Sequence, residues 1–389
     1  MINPSTNSRE LAYVARISEV RDIEGVNNQV AIVNGWQVFV KRDEFKAGDL
    51  AVYFEIDSKV PELECFEFLR KYHFKVKTQK FIKGRVISQG LVIKPEDLGL
   101  KNVKEGDFLT EKLGVTYYEA EDNTRKADNS KYASMQARHK KFFKTKLGKW
   151  LMKREWGRKL CFFFLGKKKD KKTSFPTHFP YVHKSDEERV ENMPWILENK
   201  DPWVKTLKID GTSSTYILER KGRRKFEFYV LSRNVRQLTP DQKCYHEDNV
   251  YWEMAEKYNI ENFLKEQLEL HPEWTYVAIQ GETAGPSLQG NPHGLNVRQF
   301  FGFNFIDSAG GRWGSVEAKD YVAKWGISWV PIVDERYILP DTMEEFKASA
   351  DGLCELPGAT GLREGYVYRS LDGKQSFKNV SNQFLMSKK

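Results

Sequence analysis

Two residues near the middle of the chain, Lys208 and Asp210, have types and spacing that could support covalent chemistry. Lys208 stands at the end of the predicted strand Trp203–Ile209, and Asp210 with Gly211 is typical of a tight turn after a strand. A lysine amine is a weak nucleophile at its ordinary pKa of about 10.4, but burial beside a bound cation would lower that pKa. Such an amine could attack the α-phosphate of a nucleotide and expel pyrophosphate. The same short pattern could equally form an exposed turn with an ordinary surface lysine.

Further polar and aromatic residues follow Lys208 in an order that suits a nucleotide site. Most stand at or near the ends of predicted strands: Arg233 after Phe226–Leu231, Glu282 after Trp274–Gln280, Phe300 within Phe300–Ile306, Glu364 before Tyr366–Arg369, and Lys378 within Gln375–Val380. Taken singly, each could be a surface or core residue of its strand. Taken in this order and spacing, they predict one site.

This ordered set resembles the covalent nucleotidyltransferase superfamily, which contains DNA ligases, RNA ligases and mRNA-capping guanylyltransferases. The resemblance implies that Lys208 is the nucleophile. It assigns catalysis to Lys208, Asp210, Glu364 and Lys378. It assigns nucleotide binding to Leu207, Lys208, Arg233, Glu282, Phe300, Val367, Lys378 and Arg189. It assigns metal binding to Glu282, Glu364 and, through water, Asp210.

These residue types suit the roles that the resemblance implies. Phosphoryl transfer depends mainly on positioning and on electrostatic stabilisation. Lys378 would place a compact positive charge at the α-phosphate, and the planar fork of Arg233 suits phosphate or ribose hydroxyls. Glu282 and Glu364 offer hard oxygens for Mg²⁺ or Mn²⁺, and Asp210 could bind a metal-bound water. The expected cofactors are therefore ATP and Mg²⁺ or Mn²⁺.

The remaining contacts of the nucleotide would be with its base and with a second phosphate oxygen. An adenine needs an apolar sandwich, which Phe300 and Val367 are expected to provide. The last motif of the superfamily often carries two lysines spaced KxK. Here Ser376 occupies the earlier position and Lys374 lies two residues upstream, so the second phosphate contact is unassigned.

The order of the two halves of the chain distinguishes branches of this superfamily. Many DNA ligases and capping enzymes carry an OB-fold domain after the nucleotidyltransferase domain, but few residues follow Lys378 here. The β-rich part comes first, with motifs such as Gly35-Trp36 and Ser88-Gln89-Gly90. It looks like the N-terminal OB domain of the ATP-dependent, nick-sealing RNA ligases. The segment from Phe179 to Asn192 matches their lead-in to the nucleophile.

The elements that must position these residues fall into two predicted domains. The first, residues 1–117, has one helical stretch over Glu62–Lys71 and these strands: Ala12–Ile17, Gln29–Val33, Trp36–Val40, Leu50–Phe54 and Phe81–Val92 with a break at Gly84. The second, residues 175–389, alternates strands with helices and includes an amphipathic helix over Asp248–Leu268. The predicted fold class is α+β: an N-terminal OB-fold β-barrel, then an adenylyltransferase domain (an ATP-grasp-like ligase core) of antiparallel sheets with flanking helices.

The residues between these domains, 118–174, are assigned to a linker with a basic helical insertion. Residues 136–172 contain 15 Lys and Arg but only two acids, Glu155 and Asp170. The net charge of this segment is therefore higher than the +9 of the whole chain. It could lie on nucleic-acid phosphates, lie on a membrane surface, or form a solvated insertion. These three alternatives stay open.

Composition narrows the class of protein further. An apolar fraction of 40% with 25 Phe, 17 Tyr and 10 Trp excludes global disorder. Apolar runs are too short for a membrane span, and the first residues lack the apolar core of a secretory signal. Four widely spaced cysteines without a CxxC pair suit a reducing compartment. An intracellular location is therefore expected, in the cytoplasm or in a nucleus or organelle.

The expected function is an RNA ligase of the ATP-dependent type (EC 6.5.1.3) that joins 3′-OH and 5′-phosphate ends through lysyl-AMP, in RNA repair. Its expected partner is a nicked duplex or broken RNA, bound through the OB domain and, in one of the three alternatives above, through the basic segment. The enzyme is expected to be a monomer without stable membrane association. A capping-type guanylyltransferase, an ATP-dependent DNA ligase and a non-catalytic nucleic-acid-binding protein remain alternatives. The physiological substrate is not encoded in any residue that the sequence singles out.

Overall fold

The structure is a computed structural model that describes most of two domains and part of the segment between them. The described residues are 1–118, 142, 145–152, 154, 156–157, 161, 185–222, 224–233, 235–237, 239 and 248–388. Met1–Thr116 and Pro176–Lys389 form one compact unit, and Tyr117–Phe175 form a second. No helix of the described part is both long enough and apolar enough to cross a membrane.

The second unit is described only in part. Helix α1 spans Lys146–Met152. The rings of Trp150 and Trp156 meet edge to face with centroids 5.6 Å apart, and the Arg154 guanidinium lies 4.2 Å from the Trp150 ring centroid. Most of the predicted linker and of the basic segment 136–172 lies outside the described residues, as do Phe179–Lys184 and Asn234.

Short strands dominate the N-terminal domain, as the turn-rich sequence predicts. They are β1 (Ala12–Asp22), β2 (Asn28–Val33), β3 (Trp36–Lys41), β4 (Leu50–Phe54), β5 (Ser58–Lys59), β6 (Gln79–Phe81), β7 (Val86–Ser88), β8 (Leu91–Ile93) and β9 (Thr116–Tyr117). Short 3₁₀ helices span Glu64–Tyr72, Ile82–Gly84 and Pro95–Leu98. The first of these replaces the predicted helical stretch over Glu62–Lys71.

The first domain is a nearly closed barrel, which confirms the predicted OB-like fold. Its main sheet has the order β3-β2-β1-β4-β8. A bulge between Ile17 and Glu19 bends β1 so that it pairs with both β2 and β4. On the far side the Phe39 N–H donates to Ser88 Oγ at 3.0 Å, and the Gln89 N–H donates to Gln37 O at 2.7 Å. These bonds bring the two edges of the sheet together.

The second domain is built from strands with few helices. Its strands are β10 (Glu188–Arg189), β11 (Trp203–Leu207), β12 (Thr212–Gly222), β13 (Lys225–Leu231), β14 (Tyr276–Ala284), β15 (Gln299–Asp307), β16 (Gly311–Arg312), β17 (Ile332–Tyr337), β18 (Gly365–Ser370) and β19 (Ser376–Val380). Its helices are α2 (Val250–Lys257), α3 (Ile260–Leu270), α4 (Ser315–Ala323), α5 (Met343–Ala348) and α6 (Asn382–Ser387). Short 3₁₀ helices span Val190–Asn192 and Pro194–Glu198.

Two five-stranded sheets form the framework of this domain. Their strand orders are β10-β19-β18-β11-β17 and β13-β12-β14-β15-β16. Trp203 and Phe377 of the first sheet share a buried core with Phe301 of the second, so this core joins the two sheets. The opposite face of the second sheet packs against α2, α3 and α4 through residues such as Phe263 and Phe305. Polar side chains between the sheets are therefore held by rigid elements on both sides.

Two further predicted elements differ from the structure, and backbone geometry explains both. The helix predicted over Asp248–Leu268 is two helices, because Asn259 adopts the left-handed conformation with φ 48°. The predicted strand Phe81–Val92 is broken after its first residue, since Ile82 and Lys83 both have positive φ. The chain then resumes as two short strands, β7 and β8.

The barrel packs directly on the second domain around Trp36. Gly35 has φ 84°, and a Cβ at this position would lie only 2.8 Å from Met343 Cγ of α5, so a residue without a side chain is needed here. Lys347, on the same helix, forms a buried ion pair with Glu191 at 2.7 Å and donates to Val380 O at 2.8 Å. The tight turn before Trp36 therefore lets the barrel approach closely, and the ion pair joins two segments of the second domain at this contact.

Candidate active site

A cavity of about 360 Å³ opens between the two sheets of the second domain. Every predicted site residue except Phe300 lines it. These residues are Arg189, Leu207, Lys208, Asp210, Arg233, Glu282, Glu364, Val367 and Lys378. Because both sheets and the loops at their ends contribute, residues far apart in the sequence meet in one place.

Lys208 lies directly after β11, where the backbone is still held by the sheet. Its N–H donates to Gly365 O at 2.9 Å, and its Nζ lies 2.8 Å from Glu364 Oε1. Burial disfavours the ammonium form, but the Glu364 and Glu282 carboxylates outweigh burial, so the pKa of Lys208 is raised above its ordinary value. The carboxylates thus hold the amine in place as an ammonium, and it must lose a proton before it can attack.

The two glutamates of the cavity have opposite pKa shifts. Burial and the nearby Glu364 charge raise the pKa of Glu282 to about 8, although Lys208 opposes the shift. Burial also acts to raise the pKa of Glu364, but Lys208 at hydrogen-bond distance reverses this and lowers it. Burial thus favours the protonated form of Glu282, whereas the ion pair with Lys208 favours the ionised form of Glu364. Paired groups with pKa values pushed apart are typical of catalytic sites.

Asp210 is fixed at both its backbone and its side chain. Its N–H donates to Nε2 of the buried His293 at 2.9 Å, which requires the tautomer with the proton on Nδ1. Burial lowers the pKa of His293 and so favours this neutral ring. Asp210 Oδ2 lies 2.7 Å from Lys388 Nζ. Neither His293 nor Lys388 was singled out by the sequence, because no local pattern connects them with Asp210.

Three cations surround the cavity at different depths. Arg233 lies at the mouth, where Nη1 is 3.0 Å from Asp186 Oδ2. Arg189 lies opposite Lys378 in the parallel pairing of β10 with β19, and its guanidinium is 5.5 Å from the ring centroid of Trp36 in the barrel. Burial, together with the charges of Lys208 and Arg189, lowers the pKa of Lys378. This clustering of positive charge suits a polyanionic ligand.

The expected role of Phe300 in stacking on a base is wrong for geometric reasons. Phe300 is fully buried on the helix-covered face of the second sheet, where its ring meets Tyr216 edge to face. Gly281 is required beside it, since a Cβ at that position would lie 2.3 Å from the Phe300 ring. Phe303 lines the cavity instead. Alternate residues of a strand face opposite sides, so Phe301 and Phe303 share the face that Phe300 does not.

Phe303 stands at a β-bulge between β14 and β15. Gly281 pairs with Gly302 and Gln280 with Asn304, so Phe303 has no partner on β14. The guanidinium of the buried Arg369 lies 5.7 Å from its ring centroid. Bulges beside active sites commonly redirect a side chain. Here the bulge is placed where it can present an aromatic ring to a ligand.

Arginines surround Ser376, which stands where the superfamily often has a lysine. Ser376 Oγ donates to Glu187 Oε2, and Arg312 Nη2 donates to Ser376 Oγ at 3.2 Å. Arg369 Nη2 donates to the other oxygen of Glu187 at 3.3 Å. Lys374 is exposed and pairs with Asp372 at 3.5 Å, and it does not line the cavity. Of these two arginines, Arg369 also lines the cavity and supplies positive charge there.

The carboxylates can hold a divalent cation only with help from water or a ligand. Among the described residues, no group of three or more His, Cys, Asp or Glu side chains is arranged to hold a metal ion by itself. Glu364 Oε2 is nevertheless buried without a hydrogen-bond partner. Mg²⁺ usually keeps several waters and binds through one or two carboxylates plus substrate phosphates. The donor set fits such an ion.

Comparison with known protein families agrees with this geometry. Residues 201–381 match a family model described as RNA ligase. This part of the chain belongs to the RNA ligase family. Residues 11–95 match a model described as an OB-fold domain. The barrel followed by the RNA ligase domain is therefore the arrangement that the sequence predicted.

Solved structures of an RNA ligase from Naegleria gruberi are similar over nearly the whole chain. A ligand-free mutant is 27% identical with a TM-score of 0.63, over 96% of this chain and 97% of that one. A mutant with ATP and Mn has the same identity and TM-score, over 97% and 98%. A mutant with AMP and Mn is 27% identical with a TM-score of 0.62, over 97% and 98%. No curated protein sequence matches the chain.

Proposed function

We propose that this RNA ligase is ATP-dependent and joins a 3′-OH end to a 5′-phosphate end through a lysyl-AMP intermediate on Lys208. The observation that carries the proposal is the placement of Lys208. Its amine lies in a nucleotide-sized cavity, 2.8 Å from Glu364 and within the electrostatic reach of Glu282 and Asp210. Lys378 lines the same cavity. The similar Naegleria structures that contain ATP or AMP with Mn support the choice of nucleotide.

The proposed reaction has three steps, and in each one a bond to phosphorus forms as another breaks. The deprotonated Lys208 amine attacks the α-phosphorus of ATP, and the bond to pyrophosphate breaks. The 5′-phosphate of the nucleic acid then displaces Lys208 from AMP and becomes adenylylated. Finally the 3′-OH attacks that 5′-phosphate, and AMP leaves as the strands are joined. Lys378 and Arg233 stabilise negative charge on the phosphates during these steps.

We propose that Glu282, Glu364 and, through a water, Asp210 hold Mg²⁺ or Mn²⁺. When bound there, the divalent cation neutralises the phosphates and favours the unprotonated amine of Lys208. The opposite pKa shifts of the two glutamates support this assignment, because a cation would stabilise the ionised form of Glu282 as well.

We propose that the adenine ring lies between Phe303 and Val367, not beside Phe300. Both proposed residues line the cavity from opposite sheets. Leu207, the residue before the nucleophile, and Arg189 complete the nucleotide-binding set from the first sheet and its edge. Arg369 lies behind Phe303, and burial lowers the pKa of its guanidinium to about 10, which still leaves it charged at neutral pH.

Replacing Phe303 and Phe300 in turn distinguishes a residue that binds the base from one that stabilises the fold. We expect Phe303→Ala to raise the KM for ATP about tenfold, because stacking on an aromatic ring is lost, and to alter stability less than Phe300→Ala. Phe300→Ala removes a fully buried ring and should cost about 3–5 kcal/mol of unfolding free energy. The measurements are ATP titrations of protein labelling and thermal unfolding of both variants. A Phe303→Ala protein with unchanged KM contradicts the stacking role.

Nucleic-acid substrate binding is consistent with the charge of one segment of the barrel. Residues 70–85 contain seven Lys and Arg and no Asp or Glu. Lys77, Lys83 and Arg85 are exposed on this segment. The segment leads directly into β7, which contacts α6 beside the cavity. We propose that it binds phosphates of a nicked duplex or broken RNA, and that the enzyme acts as a monomer, since one chain supplies both surfaces.

Charge reversal on this segment should weaken substrate binding without affecting the nucleotide step. We expect the triple change Lys77→Glu, Lys83→Glu and Arg85→Glu to lower affinity for a nicked duplex at least tenfold and to reduce the salt dependence of binding. Binding is measured at several salt concentrations. Lys101→Glu with Lys104→Glu, exposed elsewhere on the barrel, is the control. A triple variant with the wild-type salt slope contradicts this surface.

End-joining on a panel of nicked duplexes tests the whole proposal. The panel places ribose or deoxyribose on each side of the break and supplies either ATP or GTP. The family resemblance predicts sealing with ATP when the 3′-OH strand ends in RNA. Sealing with GTP alone, or labelling without joining, would favour a capping enzyme, and sealing of all-DNA nicks alone would favour a DNA ligase.

The described cysteines support the proposal of an intracellular site of action. Cys65, Cys161 and Cys354 are free thiols. Burial raises the pKa of each, which makes these thiols less reactive. We therefore propose a reducing compartment as the working environment.

A further inference from the structure

Lys388 is a charged neighbour of the cavity that the proposed chemistry does not use. Its Nζ lies 2.7 Å from Asp210 Oδ2, with 41% of the lysine side chain and 13% of the aspartate side chain exposed. The charge of Lys388 also acts on Glu364. Burial raises the pKa of that carboxyl, Lys208 lowers it more strongly, and Lys388 adds to the lowering. A cation thus already lies where the carboxylates of the site meet.

Contacts from both domains fix the backbone that carries Lys388. Helix α6 is capped by Ser381, whose Oγ accepts from the Phe384 N–H at 3.1 Å and donates to Asp351 Oδ1 at 2.6 Å. The Ser381 N–H donates to Glu364 O at 2.9 Å, which ties the start of the helix to the site itself. These bonds place the helix beside the cavity, and its Leu385 lines the wall.

The end of the same helix is held by the barrel. Lys80 Nζ donates to Met386 O at 3.4 Å and also to Lys388 O. The backbone at Lys388 is therefore anchored, while its flexible four-carbon stem leaves the ammonium free to turn toward solvent. An anchored backbone with a partly exposed ammonium can release Asp210 without unfolding any element.

We propose that Lys388 is a resident counter-ion of the metal site, which neutralises Asp210 until a divalent cation replaces it and so sets the metal concentration that the enzyme requires. The inference rests on the proposed function only in that Asp210 belongs to the metal site. A hydrated divalent cation and an ammonium compete for the same carboxylate, and the two like charges repel at such distances. Lys388 is thus a positioning residue that acts through Asp210.

Removing this competing charge should tighten metal binding to the nucleotide-free protein. We expect Lys388→Met, which keeps most of the stem, to lower the Kd for Mn²⁺ about tenfold, a modest value because the lysine is partly exposed. Lys388→Arg keeps the charge and should retain the wild-type Kd. Lys265→Met, on the exposed face of α3, is the control for loss of a lysine elsewhere. Free Mn²⁺ is measured by electron paramagnetic resonance in a titration without nucleotide.

The outcomes of this titration are separable from those of the ligase assays. Tighter binding by Lys388→Met alone supports the counter-ion role. Equal or weaker binding than wild type overturns it, as does the absence of measurable binding to both proteins. Because the titration contains no ATP, a wild-type chain that fails to form an AMP adduct would refute the proposed function without deciding the role of Lys388. Thermal unfolding confirms that each variant is folded.

Discussion

Labelled ATP and Mg²⁺ should leave no AMP on a Lys208→Ala protein, whereas the wild-type chain becomes covalently labelled. In the proposed reaction the amine forms the bond to phosphorus, and no other part of the residue can replace it. We expect a loss of at least about 10⁴-fold in adduct formation, the scale on which removal of a nucleophile acts. The measurement is radioactivity retained on the denatured protein.

Two further variants make this result specific. Lys208→Arg keeps a positive charge beside Glu364 but offers no comparable nucleophile, so it should also fail to label. Lys205→Ala changes a lysine of β11, the strand that precedes Lys208, and should label normally; its Nζ lies 4.0 Å from the ring centroid of Tyr366. The wild-type adduct should be stable to alkali and labile to acid, as a phosphoramidate is. An adduct that persists in Lys208→Ala, for example on Lys378, would contradict the assignment.

The closeness of Lys208 and Glu364 could be predicted because both stand at strand ends. Lys208 follows β11, and Glu364 directly precedes β18. The ends of paired strands meet at one edge of a sheet, and the Lys208 N–H indeed bonds to Gly365 O. The order of the motifs therefore implied their proximity before any coordinates were known.

Which face of a strand a residue occupies was harder to predict. The run Phe300-Phe301-Gly302-Phe303 has aromatic residues on both faces of β15, and a shift of one residue exchanges the faces. The bulge at Phe303 changes the alternation further on, so that Phe305 returns to the helix-covered core. A single sequence carries no signal for such a bulge. For that reason the sequence alone does not indicate that Phe303, and not Phe300, lines the cavity.

Residues that reach the site from distant segments could not be predicted at all. His293 and Asp210 are 83 positions apart, and their bond depends on how a loop folds back over the turn after β11. Arg312 approaches Ser376 through the pairing of β15 with β16. The sequence shows Ser376 at the position where the superfamily often has a lysine, but it does not show that arginines lie around it.

Replacing Glu364 with glutamine should have two opposing effects on adenylylation, and their sizes decide the result. Loss of the carboxylate lowers the pKa of Lys208, because the ion pair at 2.8 Å no longer stabilises the ammonium. Each unit of that decrease gives at most a tenfold gain in free amine at neutral pH. Loss of a charged group that positions the nucleophile and the metal costs about 10²–10³-fold, as removal of one stabilising group in an active site does.

The net expectation for Glu364→Gln is a fall of about 100-fold in adduct formation at pH 7. Its pH–rate profile should also move to lower pH, because Lys208 loses its proton more easily than in the wild type. Adduct formation is measured from pH 6 to pH 10 at saturating ATP and Mg²⁺. Glu335→Gln, an exposed glutamate of β17, should match the wild type at every pH. If the rate falls in Glu364→Gln while the profile keeps its position, Glu364 does not control protonation of the nucleophile. If neither changes, the glutamate has no part in the reaction.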